Sequence, residues 1–261
     1  MAGSDCSGGA GIQADLKAFS ANETFGMSVI TSVVAENTTR VLSVFNVPVE
    51  EIQKQIDAVF EDIHVDAVKL GMLPTAEIIS AVADKLNEYK PSIIVCDPVM
   101  VATSGDALSE GGTVSTMREK LFPIVTLLTP NIPEAEAISG LEIKNENHME
   151  KAARIIMDMG VKNVLVKGGH LTGDAVDYLC TPEGVHKLAN KRVDSPNTHG
   201  TGCTLSSAIT ANLAHGMDML SAVTKAKNYI TEAIEKSFTV GKGHSPVNHF
   251  YDYYDLKGTV L

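Results

Sequence analysis

Apolar runs of strand length alternate with amphipathic stretches of helix length along most of this 261-residue chain, and that alternation limits the folds open to it. Residues 27–34 (M-S-V-I-T-S-V-V), 66–71 (D-A-V-K-L-G), 92–98 (S-I-I-V-C-D-P), 124–130 (I-V-T-L-L-T-P) and 162–169 (K-N-V-L-V-K-G-G) read as buried strands closed by turn residues or proline. Between them, apolar residues recur every three or four positions. After Pro48, a residue suited to a helix start, Ile52, Ile56, Val59, Phe60 and Ile63 form one such stripe. Residues 75–89 form another, with Thr75 placed to cap it. Further helices are expected near 110–121, 133–139, 147–159, 201–214 and 218–236, with an antiparallel hairpin over 174–190 around T-P-E-G (181–184). Strands separated by helices of roughly 10–15 residues are βαβ units, giving an α/β fold with a mostly parallel sheet covered on both faces. No linker, charge block or internal repeat divides the chain, so a single domain over 1–261 is expected.

The formal net charge of −11 argues against non-specific nucleic-acid binding, which needs a cationic footprint. An anionic ligand must therefore find local partners: backbone N–H groups, a helix N-terminus, a lysine or a bound cation. No apolar run reaches the ~18 residues needed to span a bilayer, and no secretory pattern opens the sequence. Cys6, Cys96, Cys180 and Cys203 are widely spaced, as expected of reduced thiols in a cytoplasmic protein. The eight histidines show no zinc-site spacing.

In open α/β sheets, ligands bind beyond the carboxyl ends of the strands. Three expected strands end in Asp97, Asn131 and Lys167-Gly168-Gly169. Any one of these is readily a turn former; the set marks a site. Residues 197–204 (N-T-H-G-T-G-C-T) run into an Ala/Ser/Leu-rich helix, so Gly200, Thr201 and Gly202 would offer N–H groups at its positive end, where phosphate binds. Cys203 could be a nucleophile, metal ligand, redox thiol, acid/base group or small buried residue. Residues 9–14 (G-A-G-I-Q-A) also fit the dinucleotide fingerprint G-x-G-x-x-A. Too few residues precede it for the strand that fingerprint requires, and Glu36 lies too far along to bind a ribose, which disfavours a Rossmann oxidoreductase.

Six motifs carry a resemblance: A-G-S-D-C-S-G-G-A-G-I-Q-A-D-L-K, V-K-L-G-M-L, D-P-V-M-V-A-T-S-G-D, T-P-N-I-P-E-A, V-K-G-G-H and T-H-G-T-G-C-T. In that order they are similar to the ribokinase superfamily, and within it to the hydroxymethylpyrimidine/phosphomethylpyrimidine kinases of thiamine biosynthesis. The resemblance covers essentially the whole chain. It implies a three-layer α/β/α kinase that uses ATP and Mg²⁺ to phosphorylate a pyrimidine's hydroxymethyl group and then the resulting phosphate. It further implies an anion hole at Gly200, Thr201 and Gly202, and an acid/base position at Cys203. Lys167, Asn131, His199 and Thr201 would serve the nucleotide. Asp97 and Glu134 would hold Mg²⁺ through water, and Gly3, Asp15, Glu36 and Met72 would line the pyrimidine pocket. A homodimer is expected on the same ground.

The sequence departs from the family's pattern at two places. Only Met1 precedes A-G-S-D, so the first strand reads as shortened. Glu36 stands in A-E-N-T where glutamine is frequent, and an ionised carboxylate can only accept hydrogen bonds. Many kinases of this superfamily carry aspartate at the position of Cys203; a thiol with its pKa lowered at a helix N-terminus would instead be expected to serve both transfers. Two competitors remain, a pyridoxal kinase of the same superfamily and a non-catalytic small-molecule-binding protein on the same scaffold.

Overall fold

The first strand forms from residues that show no apolar run. Ala2–Asp5 (β1) is short, yet Ala2 and Asp5 are buried and the strand pairs in parallel with Ile30–Asn37 (β2). Helix α1 (Gly11–Ala21) lies between them, and β2 turns antiparallel into Arg40–Asn46 (β3). The computed structural model describes residues 1–100, 112–169 and 174–253. Within these follow α2 (Val49–Phe60), β4 (Val68–Leu70), α3 (Ala76–Tyr89), β5 (Ile94–Cys96) and α4 (Thr113–Thr116), the last continuing as a π-helical turn over Met117–Leu121. Next come β6 (Leu127–Leu128), α5 (Ile132–Ser139), α6 (Glu146–Met157) and β7 (Asn163–Val166). The hairpin β8 (Ala175–Thr181) and β9 (Gly184–Asn190) precedes α7 (Thr201–Ala214) and α8 (Met219–Glu235).

Strands β4, β5, β6 and β7 are parallel neighbours in that order, with β8 and β9 added antiparallel at one edge. Met1 joins this group to β1–β3: its nitrogen donates to Lys69 O at 2.8 Å and its carbonyl accepts from Gly71 N at 3.0 Å. A cavity of about 200 Å³ lies beside Met1, lined among others by Ile12, Leu16, Phe19, Phe25 and Val68.

The period of two along the strands builds two cores. Ile94, Cys96, Leu128, Val164 and Val166 face one layer, where they meet Ile52 and Ile56 of α2, Ile79 and Val82 of α3, and Met149 and Ile156 of α6. Val95, Leu127, Leu165 and Leu179 face the other, against Leu205 and Ile209 of α7 and Val223 and Ile230 of α8. The result is the expected three-layer α/β/α arrangement around a mostly parallel sheet. Thr75 caps α3 by accepting from Ile78 N at 3.2 Å, and α2 begins directly after Pro48. Cys96 and Cys180 are packed in the core, and the cysteines are free thiols. Residues 110–111 of the helix expected at 110–121 lie outside the described residues. The strand β3 was not expected; its residues are largely exposed on both faces, so no alternation of apolar and polar positions announces it.

Candidate active site

Each of the three polar strand ends reaches one cleft of about 820 Å³. Asp97 follows β5 and is buried, accepting from Lys167 Nζ at 2.8 Å and from Thr129 Oγ1 at 3.3 Å. Burial opposes the charge on Lys167, but Asp97 and Glu134 outweigh it and raise its pKa. Asn131 bridges to Lys167 and starts α5. Its Oδ1 accepts from Glu134 N at 2.9 Å, while Glu134 Oε2 accepts from Asn131 N at 2.8 Å, a reciprocal capping box. The N-x-x-E spacing in N-I-P-E carries that box in the sequence. Glu134 is 6% exposed, and burial pushes its carboxyl up to about 7, with Lys167 pulling it down and Asp97 pushing it up.

Two glycine-rich loops pack back to back beside these groups. The Asp5 carboxylate at the end of β1 accepts from Ser7 N at 2.7 Å, Ser7 Oγ at 3.0 Å, Gly9 N at 2.9 Å and Ala10 N at 2.8 Å. His199 Nε2 lies 2.9 Å from the same carboxylate. Burial raises the pKa of Asp5, but the hydrogen bonds from His199, Ser7 and Ala10 outweigh it and hold the group down at about 2. The G-A-G-I-Q-A stretch therefore does follow a strand and open a helix, contrary to the sequence expectation. Its N–H groups at Gly9 and Ala10 are already donated to Asp5, so they are not presented to a pyrophosphate.

The second loop fits the first through missing side chains. A Cβ on Gly200, whose φ is +75°, would stand 1.8 Å from Gly9 O. On Gly202 it would stand 3.2 Å from Asp97 Oδ2 and 3.4 Å from Lys167 Nζ, so this glycine lets the start of α7 approach the Asp97–Lys167 pair. The N–H groups of Gly202 and Cys203 lie in the first turn of α7, where no intrahelical acceptor exists, and both residues line the cleft.

Cys203 shows the thiol expectation to be wrong in sign. Burial of its sulfur pushes the thiol up to about 11; Lys69 and a hydrogen bond from the Gly11 backbone pull it down, but Asp15 and Asp97 add to the rise. Lys69 was not anticipated: it is 3% exposed in β4 and donates to Asp15 Oδ1 at 2.7 Å, which also accepts from Ser207 Oγ at 2.8 Å. Gly3, Glu36 and Met72 share the cleft with Asp97, Asn131, Glu134, Lys167, His199, Thr201 and Cys203. Asp15 is not among the cleft-lining residues; its bonds to Lys69 and Ser207 hold it behind the wall. The exposed Cys6 thiol donates to Glu36 O at 3.1 Å. Residues 101–106 of D-P-V-M-V-A-T-S-G-D and His170 of V-K-G-G-H lie outside the described residues.

The family model described as phosphomethylpyrimidine kinase matches residues 5–248. The chain belongs to that family. It is 49% identical over 258 residues to the thiamine biosynthesis bifunctional protein ThiED of Geobacter sulfurreducens, covering 98% of this chain and 53% of that one, so it spans about half of that relative. It is 44% identical to the hydroxymethylpyrimidine/phosphomethylpyrimidine kinase of Haemophilus influenzae, covering 96% of this chain and 95% of the relative. Among solved structures, an ADP complex of Bacillus subtilis pyridoxal kinase superposes with a TM-score of 0.89 at 40% identity, covering 95% of each chain. The fold is thus that of the ribokinase-like vitamin kinases.

Proposed function

We propose that this chain, as one kinase domain over residues 1–261, transfers phosphate from ATP to 4-amino-5-hydroxymethyl-2-methylpyrimidine and then to its monophosphate. The observation that carries the reading is the meeting of Lys167, Asp97 and the start of α7 in one cleft, within a chain of the phosphomethylpyrimidine kinase family. Phosphoryl transfer asks mainly for positioning and charge stabilisation. In this reading Lys167 lies on the nucleotide phosphates, with Asn131, His199 and Thr201 beside them. The N–H groups of Gly200 and Gly202 receive the charge of the transferring group, that of Thr201 being donated to Thr198 O at 3.3 Å, and Gly3, Glu36 and Met72 border the pyrimidine.

Cys203 takes the acid/base position as a neutral thiol. General-base help is worth ~10²–10⁴-fold, and a loose transition state leaves much of the work to electrostatics. A neutral group there also avoids repelling the anionic monophosphate in the second transfer, which a carboxylate would do. Two buried carboxylates, Asp97 and Glu134, line the cleft beside Lys167, and such an oxygen donor set fits Mg²⁺ held through water. When bound, the ion would neutralise charge on the phosphates.

The pyridoxal kinase reading has its own support in the 0.89 superposition with an enzyme of that name. Measuring kcat/KM with hydroxymethylpyrimidine and with pyridoxal separates the two; a preference for pyridoxal overturns our reading. We further propose a homodimer through the β2–β3 ribbon, which exposes Val33 and Phe45 on one face and Leu42 and Val44 on the other. A monomer by sedimentation defeats that assignment. A cytoplasmic location accords with ATP as donor and with free thiols.

A further inference from the structure

The turn that carries Lys167 is held by an ion pair that the roles above leave unused. Asp177, in β8, accepts from Gly168 N at 2.9 Å through Oδ1, and its Oδ2 is bonded to Lys227 Nζ of α8. Both residues are buried, at 6% and 5% exposure, and both stand in the wall of the cleft. Gly168 lies flush on β8: a Cβ there would meet Val176 O at 1.8 Å. The neighbouring residues are fixed too. Lys167 N donates to Pro130 O at 2.8 Å, and Gly169 O accepts from Arg192 Nη1 at 2.8 Å.

We propose that Asp177 is a positioning residue for nucleotide binding, acting through the Gly168 N–H, with Lys227 as its counter-charge. This rests on the kinase reading only in taking the Lys167–Gly168–Gly169 turn to face the nucleotide phosphates. The bond to Gly168 sets the direction in which β7 leaves the sheet, and hence where Lys167 stands. A buried carboxylate without a cation is strongly unfavourable, and so is the reverse. Lys227 therefore makes this acceptor tolerable in the wall. A neutral acceptor of the same shape should do much of the same work.

Single variants leave an uncompensated buried charge and confuse stability with position, so the test uses two double variants. Asp177→Leu with Lys227→Met removes both charges and the acceptor. Asp177→Asn with Lys227→Met removes the charges and keeps a carbonyl for Gly168. Calorimetric titration with a non-hydrolysable ATP analogue plus Mg²⁺ gives Kd, steady-state rates give KM for each substrate, and thermal melts report folding. The leucine pair is expected to weaken nucleotide binding about tenfold, the scale of one buried hydrogen bond lost, with KM for the pyrimidine unchanged. The asparagine pair should recover most of that loss. Folded leucine and asparagine pairs with equal nucleotide Kd overturn the proposal, as does a leucine pair whose pyrimidine KM rises in step. A wild-type chain that binds the analogue but phosphorylates no pyrimidine defeats the substrate assignment and leaves this test intact.

Discussion

His199 Nε2 lies 2.9 Å from Asp5 Oδ2 across 194 positions of sequence, and this contact ties the two glycine-rich loops together. Asp5 is the hub, because its carboxylate also gathers the N–H groups of Ser7, Gly9 and Ala10. Its pKa falls from 3.8 to about 2 on folding, a depressed carboxylate. The stabilisation is therefore complete above pH ~4 and is lost as pH falls through about 2. At ~1.4 kcal/mol per unit, it amounts to about 2 kcal/mol. Asp5→Asn should flatten the stability profile between pH 4 and 2, measured by denaturant unfolding; an unchanged acid limb would contradict the hub role.

The two α7 glycines should fail differently. Gly200→Ala forces both a left-handed backbone on alanine and a clash with Gly9 O, so it should cost about 2 kcal/mol or more of stability. Gly202→Ala meets only the Asp97 and Lys167 side-chain ends at 3.2 and 3.4 Å. It should melt near the wild-type temperature and lose about tenfold or more in kcat. Melting curves beside steady-state rates separate the two outcomes.

Much of the scaffold was legible and the polar interior was not. Thr75, Pro48 and the β-branched runs act through local rules, so α2, α3 and β5 could be placed from a few adjacent residues. Ala2–Asp5 has poor strand propensity and is a strand only because it is buried between partners brought from elsewhere in the chain. Lys69 pairs with Asp15 across 54 positions and Lys227 with Asp177 across 50, separations at which no spacing rule operates. The convergence of Asp97, Asn131 and Lys167 was readable because all three sit at carboxyl ends of parallel strands.

Cys203 should react as a hindered, weakly acidic thiol. With Cys6 replaced by serine to remove the exposed sulfur, alkylation at Cys203 should accelerate with pH up to about 11. A plateau near pH ~8.5, the ordinary thiol range, would show that burial does not govern it. Cys203→Asp should spare the first phosphorylation more than the second, since only the second acceptor is already anionic. Equal losses in both steps would remove that rationale.

Glu36 offers acceptors where glutamine offers a donor as well. Glu36→Gln should lower KM for hydroxymethylpyrimidine about threefold or more, the scale of a modest hydrogen bond gained, and leave KM for ATP unchanged. A matching fall in both constants would place its effect on the fold of β2 instead.

In the proposed function, one cleft performs two successive transfers. Following a single reaction with MgATP and hydroxymethylpyrimidine by ³¹P NMR tests it most directly. The monophosphate should rise first and then convert to the diphosphate. Monophosphate that accumulates to completion with no diphosphate would rule out the second transfer.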